Sequence, residues 1–198
     1  MNLNHWTGHT NKFRIHSPTF EPYTYFVLND DQAGSSQIAT PSTILRGGKW
    51  QFRFYINGKE PTKTTQARFY VASNSANLQA PLQGYFLAIG VVNERLTGST
   101  RQFLAFYRQN GSLTDTTHIF DCHKEFLLSK NTLFQVTITC DAEGHWKLYG
   151  QLGDSSTRLW GSGQDATYTH STHLGIYCQY PKSTSANCAF GNIIATHQ

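Results

Sequence analysis

The sequence predicts an all-β chain, an antiparallel two-sheet β-sandwich, and three observations predict it. Apolar and polar residues alternate with a period of two through several segments; turn-forming dipeptides separate those segments at short intervals; and almost no stretch shows helical periodicity. Each observation follows from geometry. Successive side chains of a strand point to opposite faces, so a strand with one buried face writes alternation into the sequence.

The elements follow in chain order. In KWQFRFYI, Trp50, Phe52 and Phe54 take one side and Gln51, Arg53 and Tyr55 the other. QARFYVAS repeats the pattern, with Ala67, Phe69 and Val71 against Gln66, Arg68 and Tyr70. YFLAIGVV (85–92) and FLAFYRQ (103–109) are apolar almost throughout and read as strands covered on both faces or central in a sheet. FQVTITC (134–140) and HWKLYGQL (145–152) return to alternation, and Trp146 joins the apolar set of the second. HLGIYC (173–178) and CAFGNIIA (188–195) close the series as two further central strands. Turn signals fall at Asn57-Gly58, Asn110-Gly111, Glu143-Gly144, Gly153-Asp154 and Gly161-Ser162-Gly163. Only 74–81 and 122–130 have room for a short helical turn. About a dozen strands are expected, burying Trp50, Phe69 and Trp146 between two layers.

Composition narrows the function. Residues 1–198 read as one domain, with 14% charged and 14% aromatic residues. The net charge of +4 is spread along the chain with no run of five like charges, which disfavours nucleic acid. No apolar run approaches the roughly 20 residues of a membrane-spanning helix. MNLNHWTGHT lacks an export-signal pattern, which fits a cytoplasmic chain and equally an excised part of an exported one.

Catalytic and metal constellations are missing. Glycoside hydrolysis needs paired carboxyl groups, but Asp30 and Asp31 are adjacent and point to opposite faces, while Asp121 and Glu125 flank a loop. There is no G-x-S-x-G elbow, and GSGQDA (161–166) is not followed by the helix of a dinucleotide site. The pairs His5/His9, His170/His173 and His118/His123 do not meet metal-ligand spacings. The reading is no enzyme, no metal site and no cofactor.

Of the four cysteines none forms C-x-x-C. Cys178 and Cys188 bracket QYPKSTSAN, and a hairpin centred near Ser183 would set them opposite each other. Two outcomes stand, a disulfide or a pair of buried thiols.

QFRFY (51–55) and QARFY (66–70) match at four of five positions. If they pair around the intervening loop they share one face, on which Gln51, Arg53, Tyr55, Gln66, Arg68 and Tyr70 form a row joined by Tyr149, with Lys147 and Gln151 beside it. Arginine and glutamine donate hydrogen bonds and tyrosine stacks on sugar rings, so this row is the candidate ligand-binding platform. The same row also reads as an ordinary solvated face.

The segments WTGHTNKFRI (6–15), AGSSQIATPS (33–42), 67–90, FYRQNG (106–111), DAEGHWKLY (141–149) and 165–180 together resemble the concanavalin A-like, laminin-G-like jelly-roll domain of bacterial cell-surface proteins, often placed ahead of lamin-tail-like modules. The resemblance runs from about Trp6 to Ile194 and implies a jelly roll without its usual first strand. The family's last strand ordinarily carries an aromatic residue and an acidic pair. Here CAFGNI places Cys188 and Gly191-Asn192 at those positions, so the resemblance leaves calcium unsupported. It implies a non-catalytic, lectin-like module of an exported or cell-surface protein that takes a poly- or oligosaccharide. The competing reading is a structural or adhesive spacer with no small ligand.

Overall fold

The computed structural model describes residues 2–19, 22–56, 66–93, 100–122, 133–153, 155–182 and 188–198. Among them lie fourteen strands. They are β1 (Thr7–Gly8), β2 (Phe13–His16), β3 (Tyr25–Leu28), β4 (Gly34–Pro41), β5 (Gly48–Ile56), β6 (Gln66–Ser73) and β7 (Leu82–Asn93). The rest are β8 (Thr100–Gly111), β9 (Thr116–Asp121), β10 (Leu133–Cys140), β11 (His145–Leu152), β12 (Arg158–Gln164), β13 (His173–Tyr180) and β14 (Cys188–His197). Two seven-stranded antiparallel sheets result. Sheet A runs β1-β4-β13-β6-β7-β8-β9 and sheet B runs β12-β11-β10-β5-β14-β3-β2. The β-sandwich expected from alternation is the fold. No helix among the described residues is long and apolar enough to cross a membrane.

The inward rows form the core. Trp50, Phe52 and Phe54 of β5 face Phe69 and Val71 of β6 across the layers, and all are buried with Trp146 in one cluster. Trp50 stacks on Trp146 at 5.7 Å, and Tyr85 tilts against Trp146 at 4.8 Å. Buried aromatic side chains carry large apolar areas, so this row supplies much of the driving force for closing the sandwich. The apolar strands β7, β8 and β13 are interior in sheet A and β14 is interior in sheet B, as their composition predicts.

Four expectations are corrected. First, β5 and β6 do not pair: β5 lies between β10 and β14 in sheet B, and β6 between β13 and β7 in sheet A. Arg53 therefore faces Gln135 and Gly191, while Arg68 faces Tyr177 and Ala88. Two strands with the same alternation satisfy it equally well as neighbours or as opposite walls, and here they are opposite walls.

Second, Cys178 and Cys188 do not sit in a hairpin. Cys178 is flanked by Ser36 and Ala67 in sheet A, and Cys188 is registered on Ile56 in sheet B. Both are thiols buried in the core. Burial pushes the Cys188 thiol up to about 12 and the Cys178 thiol well above its ordinary value, the neighbouring Cys188 adding to the second.

Third, Gly161-Ser162-Gly163 is not a turn but the middle of β12. The glycines let Phe120 of β9 lie against that strand, since a Cβ at Gly161 would stand 2.7 Å from the Phe120 ring. Fourth, 74–81 is not helical. Its backbone is held by serine and asparagine side chains, with Ser73 Oγ accepting from Ser75 N at 3.0 Å and Asn77 Oδ1 from Gln79 N at 3.0 Å. The other helical candidate, at 123–130, lies outside the described residues, as does Asn57-Gly58.

Candidate functional site

Sheet A carries a second apolar cluster on its outer face. Ala39 of β4, Tyr70 of β6, Phe86 of β7 and Tyr177 of β13 are buried there beneath Leu78 and Leu82. These positions alternate with the core-facing residues of the same strands, so both faces of the central strands are apolar, which explains their unbroken hydrophobic sequences. A bulge between Tyr70 and Ala72 turns both Val71 and Ala72 into the core and leaves Tyr70 outside.

An aromatic ladder crosses this face. Tyr70 meets Phe86 at 5.1 Å, Phe86 stacks on Tyr107 at 5.5 Å, and Tyr107 meets the His118 ring edge-on at 5.3 Å. The Arg68 guanidinium lies over Phe86 with 4.5 Å to the ring centroid. Its Nη1 donates to Tyr70 Oη and to Gln109 Oε1, both at 3.3 Å, and its Nη2 donates to the Leu113 carbonyl at 2.9 Å. Tyr70 in turn donates to Gln109 Oε1 at 2.6 Å, and Gln109 Nε2 donates to the Gly111 carbonyl at 2.7 Å. Tyr70 and Gln109 are fully buried, so the guanidinium rests on a rigid, hydrogen-bonded base. Burial pushes the Tyr70 phenol above its ordinary range, and the Arg68 charge offsets part of that rise.

Two depressions flank Arg68. One, of about 190 Å³, is lined by Gln66, Arg68, Ala88, Gly90, Tyr107 and Thr116 among others. The other, of about 770 Å³, lies toward β4 and β13 and is lined by Ser35, Gln66, Arg68, Thr114, Tyr177 and Gln179 among others.

The predicted platform is thus divided. Gln66, Arg68 and Tyr70 lie on the outer face of sheet A, where Tyr70 supports the site from beneath rather than presenting a ring to solvent. Gln51, Arg53 and Tyr149 lie on the opposite side of the molecule, on the outer face of sheet B, where Thr137 stands between Gln51 and Tyr149. Arg53 lies 3.6 Å over the Tyr23 ring and donates to Gln135 Oε1 at 2.8 Å, so that row is knitted into its own surface. The Tyr55 side chain lies outside the described set. Sequence reading missed Phe86, Tyr107, Gln109 and Tyr177. Their signal was the polar or aromatic residue placed every second position inside otherwise apolar strands.

Among the described residues one group of three could ligate a metal, Asp141, Glu143 and His145 in the β10–β11 turn. It is exposed, and its geometry is that of the turn itself: Asp141 Oδ1 accepts from His145 N at 2.8 Å and from Glu143 N at 3.0 Å, and Oδ2 pairs with His145 Nδ1 at 2.8 Å.

No family model and no curated protein matches the chain. Solved structures do. The exoplasmic/lumenal domain of VIP36, in a Ca2+/Man3GlcNAc-bound form, is 12% identical with a TM-score of 0.72, covering 100% of this chain and 85% of that one. The carbohydrate recognition domain of Emp46p in a metal-free form is 11% identical with a TM-score of 0.64, over 96% and 88%. A legume lectin-like domain from Entamoeba histolytica is 12% identical with a TM-score of 0.64, over 99% and 91%.

Some of these structures hold calcium, which takes six to eight oxygen ligands and favours carboxylates. Among the described residues none that lines the two depressions is a carboxylate, and a guanidinium stands between the two, so this described lining does not fit that ion. The chain shares its fold, a two-sheet antiparallel β-sandwich, with these lectin domains.

Proposed function

We propose that the chain is a non-catalytic, lectin-like carbohydrate-binding module and that the outer face of sheet A holds the saccharide. The observation that carries this reading is the half-buried Tyr107 ring, backed by buried Phe86 and Tyr70, with Arg68 and Gln66 beside it around a notch whose lining includes Ala88 and Gly90. The exposed part of the Tyr107 ring receives the apolar side of a sugar ring, while guanidinium and amide groups bond its hydroxyls. The lectin domains that share the fold support the reading, as does the lack of a carboxylate pair among the described residues lining either depression. The lumenal or exoplasmic origin of VIP36 supports a place outside the cytosol, on a cell surface or in a lumen.

The test is titration calorimetry against a polysaccharide panel with wild type and Ala88→Leu. Leucine at Ala88, a lining residue of the notch, adds bulk there without altering a charge, so affinity falls tenfold or more while thermal stability is held. Chelation with EDTA leaves binding unchanged if the ligand sits at Arg68. The tied-down polar row of sheet B favours a second reading, a structural or adhesive spacer. Failure of every saccharide to bind a well-folded protein selects it.

A further inference from the structure

The charge balance of the site adds a substrate class. Arg68 is half-buried and lines both depressions, yet its three hydrogen bonds all end on neutral oxygens, and among the described lining residues there is no acid. Two other half-buried cations are met by acids, Arg108 by Asp165 and Lys12 by Asp30 at 2.8 Å, whereas Arg46, which lines neither depression, ends on the Tyr168 carbonyl and Cys140 Sγ. A guanidinium has five N–H donors and these contacts use three, so two remain for a ligand. Setting a cation partly out of water with no counter-charge is costly, and that cost is recovered when a bound anion supplies the charge. The nearest acid that acts on Tyr107 is Asp121, which is exposed and paired with His118 at 2.9 Å.

We propose that the saccharide bound here is an acidic one, carrying carboxylate or sulfate groups, with Arg68 as its anion-binding residue; this rests on the carbohydrate-binding reading above. The planar fork of arginine matches a carboxylate or sulfate edge, and it is already oriented by buried Tyr70 and Gln109. Gln66, Gln179, Ser35 and Thr116 around it suit the hydroxyl groups of the same polymer. A nucleic acid would require several cations along its backbone, whereas among the described residues Arg68 is the one cation lining each depression.

The experiment compares matched polymers on the intact chain, polygalacturonate against its methyl ester and heparin against its desulfated form. The charged member of a pair binds at least tenfold tighter, and its affinity falls as salt rises. Arg68→Gln abolishes the difference, Arg68→Lys retains part of it, and Lys147→Gln on sheet B leaves it intact. Thermal unfolding accompanies each variant; if Arg68→Gln does not fold, the polymer pairs on the unaltered protein and Arg68→Lys decide. Equal binding of charged and neutral members overturns this proposal and leaves the lectin reading standing. Binding of neither member overturns this proposal, and the wider panel then decides the lectin reading. Loss of preference in Lys147→Gln but not in Arg68→Gln, or equal competition by a single-stranded oligonucleotide, shows diffuse attraction and overturns the proposal.

Discussion

Phe52 of sheet B and Phe69 of sheet A lie face to face across the core, ring centroids 3.8 Å apart and planes 17° from parallel. Phe190 touches both, at 6.2 Å from Phe69 and 6.3 Å from Phe52. Phe52 and Phe69 belong to the two similar pentapeptides, so the segments that look like a paired repeat meet through their apolar sides and turn their arginines to opposite surfaces. Phe69→Ala should destabilise the fold by about 3–5 kcal/mol, and the Phe52→Ala/Phe69→Ala cycle should show a coupling of about 1 kcal/mol. Urea unfolding measures both, and additive effects would contradict the stacked geometry.

Asp165 closes one end of the sandwich. It pairs with Arg108 and accepts from Tyr85 Oη at 2.7 Å, while its carbonyl accepts from Trp146 Nε1 at 3.0 Å. Burial works to raise its carboxyl pKa, but bonds from Thr167 and Tyr85 and the Arg108 charge outweigh burial and hold it below the ordinary value. Asp165→Asn keeps the shape and removes the charge from a largely buried pair. A loss of about 2–3 kcal/mol in chemical denaturation is expected.

Acid should weaken the protein through Asp30. The Lys12 ammonium, then the Tyr180 hydroxyl and the Gln32 N–H, hold its carboxyl at about 2 against an ordinary 3.8. Tyr180 donates to Asp30 Oδ2 at 2.5 Å and also meets Ser36 at 2.6 Å. A depressed carboxylate contributes stability that is full above its unfolded value and disappears as pH falls through the folded one. Melting temperature should therefore drop between about pH 4 and pH 2 in wild type. In Asp30→Asn that part of the slope is absent, and identical slopes would refute the assignment.

Reductant should leave the melting temperature unchanged, because Cys178 and Cys188 are thiols in opposite sheets. Their raised pKa values and burial also make them slow toward alkylating reagents. Peptides carrying either residue should gain the label in denaturant and not in the native protein. A linked pair in non-reducing mass spectrometry would overturn this.

Much of the fold was legible from local pattern. Alternation in 50–55 and 66–71 named the buried residues Trp50, Phe52, Phe54, Phe69 and Val71, because a strand's pleat converts one buried face into a period of two. Glu143-Gly144 marked the β10–β11 turn through glycine's tolerance of positive φ, here +82° at Gly144. Gly161 and Gly163 misled, since a glycine required by the Phe120 ring and one required by a turn look alike in one dimension.

Residue order alone established two layers, their core and the absence of a recognisable catalytic motif, since those follow from spacing along the chain. Which strands became neighbours was settled only on folding. Pairing between distant segments depends on register and crossovers, to which a period of two is indifferent, so Arg53 and Arg68 parted to opposite faces while Arg68, Phe86, Gln109 and Tyr177, drawn from four strands, came together.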